Sequence, residues 1–177
     1  FINEYELDGL DIDWEYPGLP GIGNPYRPED KENFTALMKE LRLAMDATGK
    51  DLTLTFAAAG WDKFFEKIET LEVMKYADYM NLMTYDFVGG SQPYTFHHTN
   101  LGQVGLNDLE GTEYLEYIND SIINKNEPGW QPRSIESIVD FCIDLGVDSE
   151  QLVVGAAFYG KAWKVATIDN NGLYQPT

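Results

Sequence analysis

The sequence predicts an α/β fold carried on a parallel sheet. Three observations point there: β-type runs alternate with helix-type periodicities, breaks rich in Gly, Pro and Asn separate them, and one run, YMNLMTYDF at residues 79–87, is almost wholly apolar or aromatic. A strand of that last kind is expected to be buried on both faces, as when helices cover a parallel sheet.

Residues 7–15 read as a first strand, ended by Pro17, Gly18, Pro20, Gly21, Gly23 and Pro25, which can continue neither strand nor helix. A helix is expected over 29–47. Pro28 suits its start, Glu29 and Asp30 complement its dipole, Gly49 stops it, and Phe34, Leu37, Met38, Leu41, Ala44 and Met45 form its apolar face. Residues 52–59 (LTLTFAAA) alternate as a second strand, 62–76 read as one helix, and 79–87 as the third strand. A polar loop with Gly89, Gly90, Gly102 and Gly105 leads to a helix near 112–124, and Ser134 caps another to about 145 with Ile135, Ile138, Val139, Cys142 and Ile143 as its stripe. Residues 152–159 (LVVGAAFY) are the fourth strand. From Ala162 the expected next helix is missing, which marks an inserted segment. Four strand–helix steps make half of an eight-step barrel, which takes ~250 residues; an open four-stranded sheet is the alternative.

Composition narrows the function. The chain has 177 residues, 44% of them apolar, and carries 30 acidic against 12 basic side chains for a net charge of −18. Such a surface repels nucleic-acid phosphates and anionic lipid headgroups, so no nucleic acid and no membrane is expected as partner. The single cysteine, Cys142, excludes an internal disulfide and a multi-cysteine metal site, and its apolar neighbours predict a buried, inert thiol. The abrupt opening at Phe1, with neither initiator Met nor signal peptide, leads to the expectation of an interior piece of a longer protein.

The chemistry concentrates in DGLDIDWEYP, residues 8–17. Asp11, Asp13 and Glu15 lie two apart, so a strand turns all three to one face and Leu10, Ile12 and Trp14 to the other. Crowded like charges destabilise a half-buried strand. A solvated edge face is a poor fit beside Leu10, Ile12 and Trp14. A calcium loop counted from Asp11 fails, because Tyr16 stands where Gly is required and Ile22 where Glu is required. Acid–base catalysis remains, since neighbouring carboxylates raise one another's pKa and can keep a donor protonated. Glu15, the last acid before the loop, is the expected donor.

The same ten residues resemble the D-x-x-D-x-D-x-E signature of family 18 glycoside hydrolases, the chitinases, with Asp8, Asp11, Asp13 and Glu15 in its four acidic positions. Met83, Tyr85 and Asp86 are similar to the family's M-x-Y-D. Tyr159-Gly160 resembles the Y-G that ends its seventh strand, residues 54–60 (LTFAAAG) resemble its fifth, and His97-His98-Thr99 its cleft-bordering loop. The resemblance implies a partial TIM (β/α)8 barrel covering strands four to seven over residues 1–161, with 162–177 as the start of an inserted small α+β domain. It implies hydrolysis of β-1,4-linked N-acetylglucosamine polymers by a substrate-assisted retaining route. Glu15 is then acid and base, Asp13 orients the substrate acetamide, Asp11 tunes Asp13, and Tyr85 steadies the same acetamide. Met83, Asp86, Tyr159, Trp14, Trp163 and Ala57 are expected at the substrate, and Asp8 and Gly9 in structural roles.

Trp61, Tyr94 and Phe96 are further candidates for sugar stacking. Two adjacent His without a third ligand make a poor zinc site, so no metal is expected, nor any cofactor. Chitin or a chito-oligosaccharide is the expected partner, together with the remaining barrel strands of a parent chain. An insoluble substrate implies a secreted protein. Two rivals share the resemblance: an endo-β-N-acetylglucosaminidase acting on N-glycan chitobiose cores, which commonly has Asn where Tyr85 stands, and a chitin-binding lectin, which has lost the Glu. A half-barrel has two unpaired sheet edges, so the piece alone is expected to hydrolyse poorly.

Overall fold

The computed structural model describes residues 1–89, 92–125 and 131–177; Gly90, expected in the loop after the third strand, lies outside them. Among the described residues four strands, β1 (Gly9–Ile12), β2 (Thr53–Ala59), β3 (Tyr79–Met83) and β4 (Leu152–Val154), form one parallel sheet in sequence order. The chain divides into two compact units, Phe1–Met83 with Val139–Gly155, and Thr84–Ile138 with Ala156–Thr177.

In the first unit the sheet is laid out by residue pairs. Gly9 stands opposite Thr53 and Asp11 opposite Thr55; Ala57 stands opposite Asn81. Gly9 is required by close approach, because a Cβ there would sit 2.0 Å from the Thr53 carbonyl oxygen. Asp8 adds a structural contact through its backbone, its carbonyl accepting from Thr53 N–H at 2.9 Å.

The helix α1 (Asp30–Asp46) buries Phe34, Met38 and Met45, with Phe34 edge-on to Phe56 of β2 at 5.4 Å. Leu37 of the expected stripe is exposed instead. The expected single helix over 62–76 is two short ones, α2 (Asp62–Phe65) and α3 (Thr70–Val73). The reason lies in the apolar spacing. At ~100° per residue a straight helix would set Phe64, Phe65 and Ile68 on one side and Thr70, Val73, Met74 and Ala77 on the opposite one. All seven are buried, and the chain must break between the two sets to bury both.

The expectation that the third strand is buried on both faces is corrected. Burial alternates along β3, with Met80 and Leu82 inside while Asn81 and Met83 stay partly open and Tyr79 is exposed. β3 also stops at Met83 rather than 87, and β4 at Val154 rather than 159, after which Gly155 N–H donates to the Leu82 carbonyl at 2.9 Å.

One charged side chain fastens the strand entrances to α1. Arg42 donates from Nε to the Tyr76 carbonyl at 3.0 Å, from Nη1 to the Leu52 carbonyl at 2.9 Å and from Nη2 to Asp78 at 2.6 Å, and Asp78 also accepts from Leu54 N–H at 2.7 Å. Arg42→Ala strands two carbonyls and a carboxylate, and is expected to destabilise the fold by about 2 kcal/mol. A lowered urea midpoint at constant slope is the measure of it. Arg42→Lys is expected to recover little, because an ammonium lacks the fork that reaches three acceptors.

The second unit is built on an aromatic core of Val88, Phe96, Leu109, Tyr114 and Ile118. Thr112 caps α4 (Glu113–Ile118) by accepting from Leu115 N–H, and the helix continues as a π turn, Asn119–Ile123. Ser134 accepts from Ser137 N–H at 3.0 Å and starts α5 (Ile135–Asp144), as its sequence predicts. Residues after 161 carry no α-helix and pair with the loop instead: Thr95 N–H donates to Gln175 O, Tyr174 N–H to Thr95 O and Thr177 N–H to Pro93 O. Tyr174 thereby stacks on Tyr114 at 5.8 Å and 2°.

Candidate functional site

The acidic row stands where β1 runs out. β1 ends at Ile12, so Asp11 lies inside the ladder while Asp13 and Glu15 follow it. Asp11 Oδ1 accepts from Thr55 Oγ1 of β2 at 2.5 Å and from Asn81 Nδ2 of β3 at 2.9 Å, which fixes its carboxylate on the sheet face shared by Thr55, Ala57 and Asn81. Asp13 is solvent-open, yet its carboxyl titrates above the usual carboxylate range. Partial burial raises it first, then the charges of Glu15 and Asp11, then a hydrogen bond with the Glu15 side chain. The Asp13 and Glu15 carboxyl groups thus lie within reach of one another at the end of the strand. The first unit therefore sets two carboxyl groups together at the sheet's end, beside a carboxylate anchored by two neutral donors.

Trp14 turns the other way, its ring edge-on to Phe34 of α1 at 5.9 Å. Tyr16 meets Trp61 at 4.9 Å and Phe64 at 6.2 Å, both edge-on, and the Glu15–Tyr16 peptide is cis. Met83 closes β3, half-buried, with Ala59 as its register partner.

The second unit gathers Tyr85, Asp86 and Tyr159 and adds two residues, His98 and Lys161. Asp86 has φ 57°, and its backbone N–H donates to His98 Nδ1 at 3.4 Å. Lys161 Nζ reaches Asp86 Oδ1 at 2.6 Å. Burial pushes the Asp86 carboxyl up, but hydrogen bonds from Lys161 and Tyr159 and the charges of Lys161 and His98 outweigh it and hold it below the usual range. Tyr159, pushed up to about 12 by burial, by its bond to Asp86 and by the charges of Asp86 and Tyr85, stays a proton donor at all working pH. Its ring lies edge-on to Tyr85 at 6.0 Å and tilted on His98 at 5.2 Å.

Trp163 packs against the second unit's core and, with Lys161, Thr95, Phe96 and Leu173, lines a cleft of ≈ 300 Å³; its indole Nε1 is buried without a hydrogen-bond partner. Phe96 is buried core, and Tyr94 leans on Tyr114 and Tyr117. Among the described residues no group of three His, Cys, Asp or Glu could hold a metal ion.

Sequence reasoning missed Asn81, Thr55 and Lys161. Asn81 had a signal, being the one amide in an otherwise apolar and aromatic strand and in parity with Met83 and Tyr85. Thr55 becomes informative only once the register sets it against Asp11. Lys161, two residues past Tyr159, is a cation in a chain poor in cations.

Residues 1–176 match the model of the glycosyl hydrolases of family 18. Over 99% of its length the chain is 32% identical to chitinase A1 of Niallia circulans. It superposes with TM-score 0.80 at 36% identity on a family 18 N-acetylglucosaminidase from Paenibacillus barengoltzii, covering 99% of this chain and 47% of that one. A catalytic domain of a group II chitinase from Ostrinia furnacalis, solved with an N-acetylated chito-oligosaccharide, superposes with TM-score 0.76 at 26% identity, over 99% of this chain and 40% of that one. The chain spans 24% of the Niallia circulans chitinase, and about a quarter of the curated relatives it matches.

Proposed function

Because the chain belongs to the glycosyl hydrolases of family 18, we propose that it carries the acid catalyst of an enzyme that hydrolyses chitin, the β-1,4-linked polymer of N-acetylglucosamine. The observation that carries this reading is the pair Asp13 and Glu15 set together at the end of β1, beside an Asp11 anchored by Thr55 and Asn81. Strands β1 to β4 are read as strands four to seven of a (β/α)8 barrel, and residues 162–177 as the start of its inserted segment.

In the mechanism proposed, Glu15 gives its proton to the glycosidic oxygen as the bond to the anomeric carbon breaks. The substrate's own acetamide oxygen forms the new bond to that carbon, giving an oxazolinium ion, and Asp13 orients the acetamide and stabilises its developing positive charge. Glu15, now a carboxylate, takes a proton from water as the water oxygen opens the ring, restoring the acetamide and the protonated acid. Asp11 fixes the charge beside Asp13. Tyr85 and Asp86, by the family motif, hold the N-acetyl group, with Tyr159 a donor beside them. Met83, Ala57 and Trp163 are proposed at the sugar. Trp14 is left out, because its ring packs on Phe34.

An intact Glu15 speaks against a lectin, and Tyr85 against an endoglycosidase of N-glycans. Release of single sugars is a second reading, favoured by the likeness to the Paenibacillus barengoltzii N-acetylglucosaminidase. A polymer too large to enter a cell implies secretion.

The test is stereochemical. NMR of the full-length protein cleaving chitopentaose should show the β-anomer as first product, and fully deacetylated glucosamine oligomers should not be cleaved. An α-anomer, or equal cleavage of the deacetylated oligomer, would sink the mechanism.

A further inference from the structure

The backbone that carries Glu15 is held by a loop rather than by the sheet. β1 makes its last register pair at Ile12, so nothing in the ladder fixes residues 13–16. The loop that follows turns back and takes over. Asn24 Nδ2 donates to the Glu15 carbonyl at 2.8 Å, nine residues upstream. Gly21 lies so close that a Cβ on it would sit 2.0 Å from the same oxygen and 2.9 Å from its carbon. Such contact admits only a glycine, because backbone rather than a yielding side chain is what a methyl group would meet.

Both ends of this loop are fastened to one buried carboxylate. Asp30, 4% exposed at the start of α1, accepts from Gly18 N–H at 3.2 Å and from Arg27 N–H at 2.9 Å, and Arg27 Nε approaches it at 3.6 Å. One residue on, Tyr16 lies edge-on to Trp61 and Phe64. The Glu15 backbone is thus held by an amide clamp whose own base is pinned at both ends, and the next residue is held by ring contacts.

We infer that Asn24 is a positioning residue for acid catalysis: by gripping the Glu15 carbonyl it sets where the Glu15 carboxyl meets the glycosidic oxygen. This rests on the reading of Glu15 as the acid. A proton donor displaced by a fraction of an ångström loses transfer efficiency steeply. The loss falls most on substrates whose leaving group needs the proton most.

That dependence supplies the test, made in the full-length protein. Asn24→Ala is expected to lower kcat/KM for chitotetraose, whose leaving group is a sugar alkoxide, by about tenfold to a hundredfold. For 4-nitrophenyl chitobioside, whose phenolate departs with little help, the expected loss is about threefold or less. Asn24→Asp, equal in size but without the amide donor, should reproduce the pattern and serves if the alanine variant folds poorly. Equal losses on both substrates in these variants, or no loss on either, overturn the inference. Glu15→Gln is run alongside. Should it keep chitotetraose activity, the reading of Glu15 falls and the inference with it; should it abolish that activity while both Asn24 variants stay unimpaired, only the inference falls.

Discussion

Glu15→Gln is expected to lower kcat for chito-oligosaccharides by about 10²- to 10⁴-fold with little change in KM. Those factors correspond to about 3 to 5 kcal/mol of transition-state stabilisation. The substitution is close to isosteric. The amide can still donate a hydrogen bond to Asp13, and the loop clamp on the residue 15 carbonyl does not involve the side chain. What is removed is the proton that can leave for the glycosidic oxygen and the carboxylate that later activates water. Steady-state kinetics of the full-length enzyme check this, and activity within tenfold of the wild type would mean that another group is the acid.

Asp13→Asn is expected to act in two directions at once. It removes the charge that stabilises the acetamide during attack, for a loss of about 10²- to 10³-fold in kcat, by analogy with other preorganised electrostatic partners. It should also raise the melting temperature at neutral pH. The sign follows from the direction of the Asp13 shift. Its folded pKa is raised by burial, by Glu15 and Asp11, and by the hydrogen bond with Glu15. The ionised form is therefore disfavoured by folding, and the penalty grows as pH rises through the folded value. Below the unfolded pKa of about 3.9 Asp13 is protonated in both states and contributes no penalty. Calorimetry should find the variant more stable at pH 7 and indistinguishable near pH 3. A variant less stable at pH 7 would mean that the three acids do not oppose one another.

The elements most legible in the sequence are those whose signal is local. The four strands, α1 and the Ser134 cap fall where alternation, helical spacing and capping chemistry put them, within a residue or two at most boundaries. Of the row Asp11, Asp13, Glu15, strand parity reaches only Asp11, because β1 ends at Ile12 and the other two acids follow it. What stayed hidden depends on other parts of the chain. The break between α2 and α3 follows from two apolar sets competing for one core, which a helical stripe read over a single window does not reveal. The alternating burial of β3 reflects how many faces the helices cover, a property of the sheet and not of YMNLMTYDF. Thr55 and Asn81 gain their roles only through register with Asp11. The grip of Asn24 on Glu15 spans nine residues of Pro/Gly loop, a stretch whose composition announces a turn and says nothing of what the turn touches.

Cys142 has a practical consequence for covalent labelling. It is fully buried, and burial alone pushes its thiol up to about 12. Maleimides and related reagents react with the thiolate, of which such a group presents roughly one part in 10⁴ at pH 8. The chain's own sulfur is therefore close to silent while the fold is intact. A cysteine introduced at an exposed site such as Leu101 or Ile22 would take a dye or spin label almost alone. Two such labels, one per compact unit, would give a molecular ruler without first having to delete the native thiol.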